Sequence, residues 1–173
     1  AVAAGAGLIN DVSALQHDPQ ALTAAAELGV PVVLMHMRGT PQTMQQLTDY
    51  GDVVAEVRDH LLERAAACRA AGIPAERIVL DPGIGFAKGL EDNLRLLHHT
   101  AELAGLGHPL LVGTSRKSVV GQVLDRPVEE RTYGTAATVA WAVAGGAHIL
   151  RVHDVGAMAD VARMTAAIRD VEQ

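Results

Sequence analysis

The chain is poor in aromatic residues, in cysteine and in positive charge, and each shortage excludes something. Phe, Trp and Tyr together make up 2% of its 173 residues, so a core has to be assembled from Ala, Val, Leu and Ile. That aliphatic bias suits parallel strands covered by helices, and the length is enough for one well-buried domain. The single cysteine, Cys68, excludes an intrachain disulfide and fits a reducing compartment; within a helical stretch it reads as a small hydrophobe. With 14 Lys and Arg against 20 Asp and Glu, the net charge is −6, which excludes the basic face that general nucleic-acid binding needs. An anion site therefore has to be local, built from a few converging cations. The longest stretch without a formal charge, Thr132 to Leu150, contains Tyr133, Thr138, His148 and Gly145-Gly146; it reads as helix, turn and strand, not as a membrane span. The apolar opening lacks a basic start and is soon followed by Asp11, so no secretory signal is read and a cytoplasmic protein is expected. No Cys pair or His-Glu-x-x-His helix occurs, and His98-His99 form no ligand pattern, so no metal ligands are expected in this segment.

What is there is a repeated unit. Five short apolar runs are each followed by polar residues and then by a helical pattern. Gly7 to Ile9 closes in Asn10-Asp11, Val32 to Met35 in His36-Met37-Arg38, and Ile78 to Leu80 in Asp81-Pro82-Gly83. Leu110 to Val112 closes in Gly113-Thr114-Ser115, and His148 to Val152 in His153-Asp154. Helices are expected between them, clearest over Asp52 to Ala71 and Glu91 to Leu103, where apolar residues recur at helical spacing. Gly29, Gly72 and Gly145-Gly146 stand where helix C-terminal caps belong. Arg38 to Gln46 has no apolar period and contains Gly39 and Pro41, which predicts a loop. No low-complexity linker divides the chain, so residues 1–173 read as one domain.

Strands that alternate with helices, joined by connections too long for hairpins, imply parallel βαβ units. In such folds ligand sites form at the carboxyl ends of the strands, and here all five runs end in chemically capable residues. The repeat is roughly 35 residues long, so about eight units would make a (β/α)8 barrel. Five cannot close one, and the chain opens at Ala1 without an initiating Met. The expectation is an incomplete (β/α)8 TIM barrel whose N-terminal three or so units are absent; an open doubly wound sheet of five strands is the alternative. Within this frame Leu111 to Ser118 stands out, because a short apolar run delivers Gly113, Thr114, Ser115, Arg116 and Lys117 to one point. An anion or an electron-rich ring would find donors there, although a strand followed by a solvated helix start reads the same way.

Five segments together resemble one family. Leu8 to Val12, Val33 to Met37 with Gly39-Thr40-Pro41, Asp81-Pro82-Gly83-Ile84-Gly85-Phe86-Ala87-Lys88, Gly113 to Lys117, and Arg151-Val152-His153-Asp154 are similar to successive motifs of the dihydropteroate synthases. The family's N-terminal loops, of the Asn-Val-Thr-Pro-Asp-Ser-Phe and Glu-Ser-Thr-Arg-Pro-Gly kinds, do not occur here. The resemblance implies a TIM barrel of the pterin-binding type, and a transferase of folate biosynthesis. That enzyme condenses 6-hydroxymethyl-7,8-dihydropterin pyrophosphate with 4-aminobenzoate, with Mg2+ assisting. It further implies a homodimer, a sulfonamide target, and Mg2+ held mainly by pyrophosphate and the absent first loop; the segment alone is expected to be inactive.

Carried over residue by residue, the resemblance assigns the pterin to Asn10, Met35, Asp81, Phe86, Gly113 and Lys117. An ionised Asp81 can accept both N–H groups of an amino-pyrimidine edge, though Asp-Pro-Gly is also plain turn sequence. Asn10 offers a donor and an acceptor, or else caps its turn. Lys117 would meet the pterin carbonyl and ring nitrogen. Met35 and Phe86 line the slot or pack the core, and Gly83 and Gly85 let the backbone approach the ring. Ser115 is assigned to the 4-aminobenzoate carboxylate, and Arg116 packs its stem on that ring with its head in solvent. Arg151 and His153, read as alternating along one strand, bind pyrophosphate as it leaves; the bland reading of His153 is structural. Lys117, Arg151 and His153 are the expected catalytic residues. Two other readings stay open: a methyltetrahydrofolate-type methyltransferase, and a non-catalytic or truncated pterin-binding paralogue.

Overall fold

A computed structural model describes residues 1–171. It contains five strands, β1 (Ile9–Asp11), β2 (Val32–Met35), β3 (Ile78–Asp81), β4 (Leu111–Val112) and β5 (Ile149–Leu150). Between and after them run α1 (Ala21–Leu28), α2 (Val53–Ala70), α3 (Leu90–His98), α4 (Thr100–Ala104), α5 (Ser118–Leu124), α6 (Thr132–Ala144) and α7 (Val155–Arg169). All strand pairs are parallel. β1, β2 and β3 form one sheet and β4 and β5 another, linked by a single parallel bridge between Leu80 and Leu110. The strands thus lie side by side in chain order, without the reversal that gives a doubly wound sheet its switch point.

The distribution of helices agrees with that order. Val32, Leu34, Ile78, Leu80, Leu110 and Val112 point to one face, into the main core with Val57, Leu61, Ala65 and Cys68 of α2, Leu96 of α3, Val119 of α5 and Ala142 of α6. The alternate residues Val33, Val79 and Leu111 form a separate small cluster on the other face. A doubly wound sheet would place helices on both faces; here α1 to α6 all feed one core. No closed barrel is present among the described residues, and none of their helices is long and apolar enough to cross a membrane.

Local chemistry explains the boundaries. Asp52 caps α2 by accepting from the backbone N–H of Val54 and Ala55 at 3.0 and 3.1 Å. Gly29 ends α1 at φ 64°, where glycine carries no steric penalty. The continuous helix expected over Glu91 to Leu103 is instead two helices broken at His99. The Leu97 carbonyl there accepts from Thr100 Oγ1 at 2.7 Å and Trp141 Nε1 at 2.8 Å, and these donors substitute for the regular helical bond. The fifth strand is also shorter than His148 to Val152. It ends at Leu150, since β5 has a partner on one side only and its sides are half exposed. Helix, turn and strand do follow in that order between Thr132 and Leu150, and the loop after β2 is irregular except for a 3-10 turn at Met44–Gln46.

Candidate functional site

The site lies where β2, β3 and β4 end, on the face without helices. Parallel register sets it out: Asn10 is level with Val33, and Met35 is level with Asp81. Two residues beyond Leu111 and Ile149, Gly113 and Arg151 continue the same side, with the Arg151 N–H bonded to the Val112 carbonyl at 3.1 Å. Because side chains alternate along a strand, parity collects Asn10, Met35 and Asp81 on one face, and Gly113 and Arg151, just past β4 and β5, stand beside each other, an added Gly113 Cβ lying 3.6 Å from Arg151 Cβ.

Asp81 is the centre of the arrangement. It is buried, and its Oδ1 accepts the Gly83 N–H at 2.8 Å. Burial pushes its carboxyl above the usual range, while that hydrogen bond and the cations of Lys117, Lys88 and Arg151 pull the other way. The turn that follows requires glycine: Gly83 has φ +68°, and a Cβ there would lie 2.0 Å from the His36 carbonyl oxygen. Gly85, at φ +82°, receives the Lys117 stem, whose Cδ would sit 3.1 Å from an added Cβ. Its N–H donates to Asn93 Oδ1 at 2.7 Å.

Lys117 crosses from the β4 loop to the β3 loop. Its ammonium donates to the Ile84 carbonyl and stands 4.7 Å from the Phe86 ring centroid, a cation–π distance. Burial lowers its pKa, opposed by Asp81 and reinforced by Arg151. Lys117 precedes the first turn of α5, and its head reaches the β3 loop. Ser115 is buried; its Oγ accepts the His153 backbone N–H at 3.2 Å and lies 2.9 Å from His153 Nδ1. The tips of the β4 and β5 segments are thereby tied together.

One expectation needs completing and another correcting. The Arg116 head is partly exposed, as expected, but not free: its guanidinium pairs with Asp154 Oδ1 at 2.7 Å and Oδ2 at 3.3 Å. Its backbone stands at φ 58°. Arg151 and His153 do not alternate along a strand, because β5 has already ended; the Ser115 hydroxyl, not strand pleating, orients His153. Asn10 sits exposed on the edge strand β1, and the neighbouring Asp11 caps its own turn through Ser13 and Leu15.

Sequence reasoning missed Lys88 and Arg131. Lys88 is 4% exposed, and its only outward sign is a place at the end of the Asp81 to Lys88 motif. Arg131 Nη1 donates to the carbonyls of Arg116 and Lys117 at 2.9 and 3.4 Å, and its guanidinium occupies the space where a Gly121 Cβ would lie. No pattern in the sequence marks that contact. Among the described residues no three His, Cys, Asp or Glu side chains converge into a metal-binding group, so they supply no cage for the Mg2+ that the resemblance implies.

The family described as pterin binding enzyme matches residues 1–153. The chain belongs to the pterin binding enzyme family. As a family member it is 50% identical, over 97% of its length, to a dihydropteroate synthase of Synechocystis sp.. It is 48% identical, over 94% of its length, to that of Escherichia coli (strain K12). Among solved structures, a Yersinia pestis dihydropteroate synthase with a sulfonamide drug complex superimposes with a TM-score of 0.95 at 44% identity, covering 99% of this chain and 62% of that one. A Xanthomonas albilineans dihydropteroate synthase with 4-aminobenzoic acid gives 0.90 at 47% identity, covering 98% and 60%. This pterin binding enzyme chain spans 58% and 57% of the Synechocystis and E. coli relatives it matches.

Proposed function

We propose that the protein is a dihydropteroate synthase, joining 6-hydroxymethyl-7,8-dihydropterin pyrophosphate to 4-aminobenzoate with release of pyrophosphate. The observation that carries this reading is the convergence, at adjoining strand ends, of a buried carboxylate (Asp81), a half-buried ammonium (Lys117) and an exposed guanidinium (Arg151) that all act on one another's charge. The five strand units are read as part of a (β/α)8 barrel, supported by their chain-order pairing and one-sided helices. A homodimer, a cytoplasmic setting and the sulfonamide sensitivity of the family belong to the same reading.

In this mechanism the Asp81 carboxylate accepts the paired N–H donors of the pterin's amino-pyrimidine edge, and Lys117 donates to its carbonyl and ring nitrogen. Asn10 adds a mixed donor and acceptor, while Met35, Phe86 and Gly113 flank the ring. Arg151 grips the pyrophosphate as a fork. With the Ser115 hydroxyl donating to Nδ1, His153 keeps its proton on Nε2 and offers it to a phosphate oxygen. The C–O bond to the pterin methylene breaks and pyrophosphate leaves with the electron pair. The 4-aminobenzoate nitrogen then gives its lone pair to that carbon and loses a proton to solvent. Donors already aimed at the departing oxygens stabilise the charge that develops there. Mg2+, when bound to the pyrophosphate, would neutralise further charge; the described residues assign it no ligand. Ser115 and the Arg116 stem would border 4-aminobenzoate.

A methyltetrahydrofolate-type methyltransferase needs the pterin contacts but neither the pyrophosphate nor the 4-aminobenzoate groups, so Ser115, Arg151 and His153 count against it. A non-catalytic pterin-binding protein would leave those groups without a task. The test is pyrophosphate release by the complete gene product. Release is expected only when both substrates are present, and release independent of 4-aminobenzoate, or none from folded protein, overturns the reading.

A further inference from the structure

Lys88 is buried as deeply as the aliphatic core around it, yet it carries a full complement of polar partners. Its ammonium lies 2.9 Å from His36 Nδ1 and 3.3 Å from the His36 carbonyl, at the end of β2. It also lies 3.1 Å from the Gly83 carbonyl and 2.9 Å from the Phe86 carbonyl, within the loop after β3. An ammonium has three hydrogens to offer, and here four acceptors from two elements surround it. The loop is held at further points: Tyr50 Oη donates to the Ala87 carbonyl at 2.8 Å, and Asn93 Nδ2 donates to the Lys88 carbonyl at 3.2 Å. Ala87 itself has φ 50°, an uncommon conformation for a residue with a Cβ. Lys88 bonds the loop directly to His36, the residue that follows β2. The Gly83 carbonyl also accepts the Phe86 N–H at 3.0 Å, whereas the His36 and Phe86 carbonyls meet the Lys88 ammonium, and a buried acceptor deprived of its donor is costly. Arg38, stacked 3.7 Å above the Tyr50 ring and paired with Glu56, closes the outer side of this cluster.

We propose that Lys88 is a positioning residue for the pterin half of the site: by tying the β3 loop to the end of β2 it sets the height of Asp81 and the lay of the Phe86 ring. It touches no reacting atom. This assignment rests on the dihydropteroate synthase reading and deepens it. Placement of a binding group to within an angstrom can be worth up to about a hundredfold in rate, so a tether of this kind has a measurable consequence. The consequence is confined to the pterin, because Ser115 and Arg116 are anchored independently through His153, Asp154 and Thr135.

The experiment compares Lys88→Met, which removes all donors, with Lys88→Gln, which keeps two, in the complete gene product. Steady-state KM is measured for each substrate beside the melting temperature. Lys88→Met is expected to raise the KM for the pterin pyrophosphate by about tenfold or more and to leave the KM for 4-aminobenzoate within about twofold, with Lys88→Gln intermediate. If Lys88→Met does not fold, Lys88→Gln carries the same comparison. A wild-type pterin KM in the folded variants overturns the proposal, as does a parallel rise of both KM values, or a loss of folding in both variants, which would make Lys88 a residue of global stability. A wild-type protein without 4-aminobenzoate-dependent pyrophosphate release fails at the earlier step and overturns the function itself.

Discussion

The loop after β3 and the segment after β5 serve the same proposed substrate, yet they are held in opposite ways. β3 is buried along its whole length, has a partner on each side, and runs into a turn where the Gly83 N–H donates to Asp81, the Lys88 ammonium to the Gly83 carbonyl and the Gly85 N–H to Asn93. β5 is two residues long, pairs with β4 alone, and delivers Arg151 and His153 to solvent. The difference follows from what each end has to hold. A flat heterocycle read by hydrogen bonds needs acceptors fixed in position and sheltered from water. A highly charged leaving group needs cations, and cations remain inexpensive only where water still reaches them. The result is a rigid reader in the middle of the sheet and a solvated cation at its edge.

The largest effect on stability should come from the reader. Gly83→Ala would set a Cβ 2.0 Å from a backbone carbonyl oxygen at a positive φ, and neither the backbone nor the turn can yield. A loss on the order of 3–5 kcal/mol is expected, read as the shift of the urea midpoint. A near-neutral Gly83→Ala would show that the turn is softer than its contacts imply.

The next effect is a pH dependence carried by His36. Burial, then the charges of Lys88, His60 and Arg38, lower its pKa from 6.5 to about 2. The folded ring therefore stays neutral while the unfolded chain takes up a proton below 6.5. The stability conferred by neutral His36 is present above that pH and is lost as pH falls toward 2. The slope is about 1.4 kcal/mol per pH unit, so about 2 kcal/mol should disappear between pH 6.5 and 5. Burial lowers His60 as well, adding in the same direction. Denaturant titrations at stepped pH test this: His36→Asn should flatten the slope, while the exposed His17→Asn should leave it steep.

At the edge, stability and activity should separate. Arg151→Ala is expected to change stability by less than about 0.5 kcal/mol while lowering turnover by on the order of a hundredfold. In the reader itself, Asp81→Asn keeps an acceptor for the Gly83 N–H, so the fold should survive, but its NH2 is a donor where the carboxylate's second oxygen would accept one of the paired N–H groups; a loss of about tenfold to a hundredfold in kcat/KM for the pterin is expected. An active Arg151→Ala removes the phosphate assignment and, with it, half of the contrast between the two regions.

Much of this was legible without coordinates. Aliphatic runs ending in polar residues mark strands and their functional ends, because burial and the period of two leave few alternatives. Asp81, Lys117 and Arg151 stand at or just beyond such ends. The Arg116 pairing was missed because its partner, Asp154, lies 38 positions away, and local sequence says nothing of a pairing at that distance. The break at His99 depends likewise on Trp141, 44 positions from Leu97.

By itself, then, the sequence determined the parallel α/β class, the order of strand and helix, and the polar residues with which the strands end. These are consequences of local sterics and periodicity. The tertiary structure alone decided that Lys88 is buried and tethers a loop, that Arg131 braces the Lys117 turn, and that Ser115 aims His153. Each of those depends on whether groups far apart in the chain meet out of water, where an unpaired charge or carbonyl is too costly to leave.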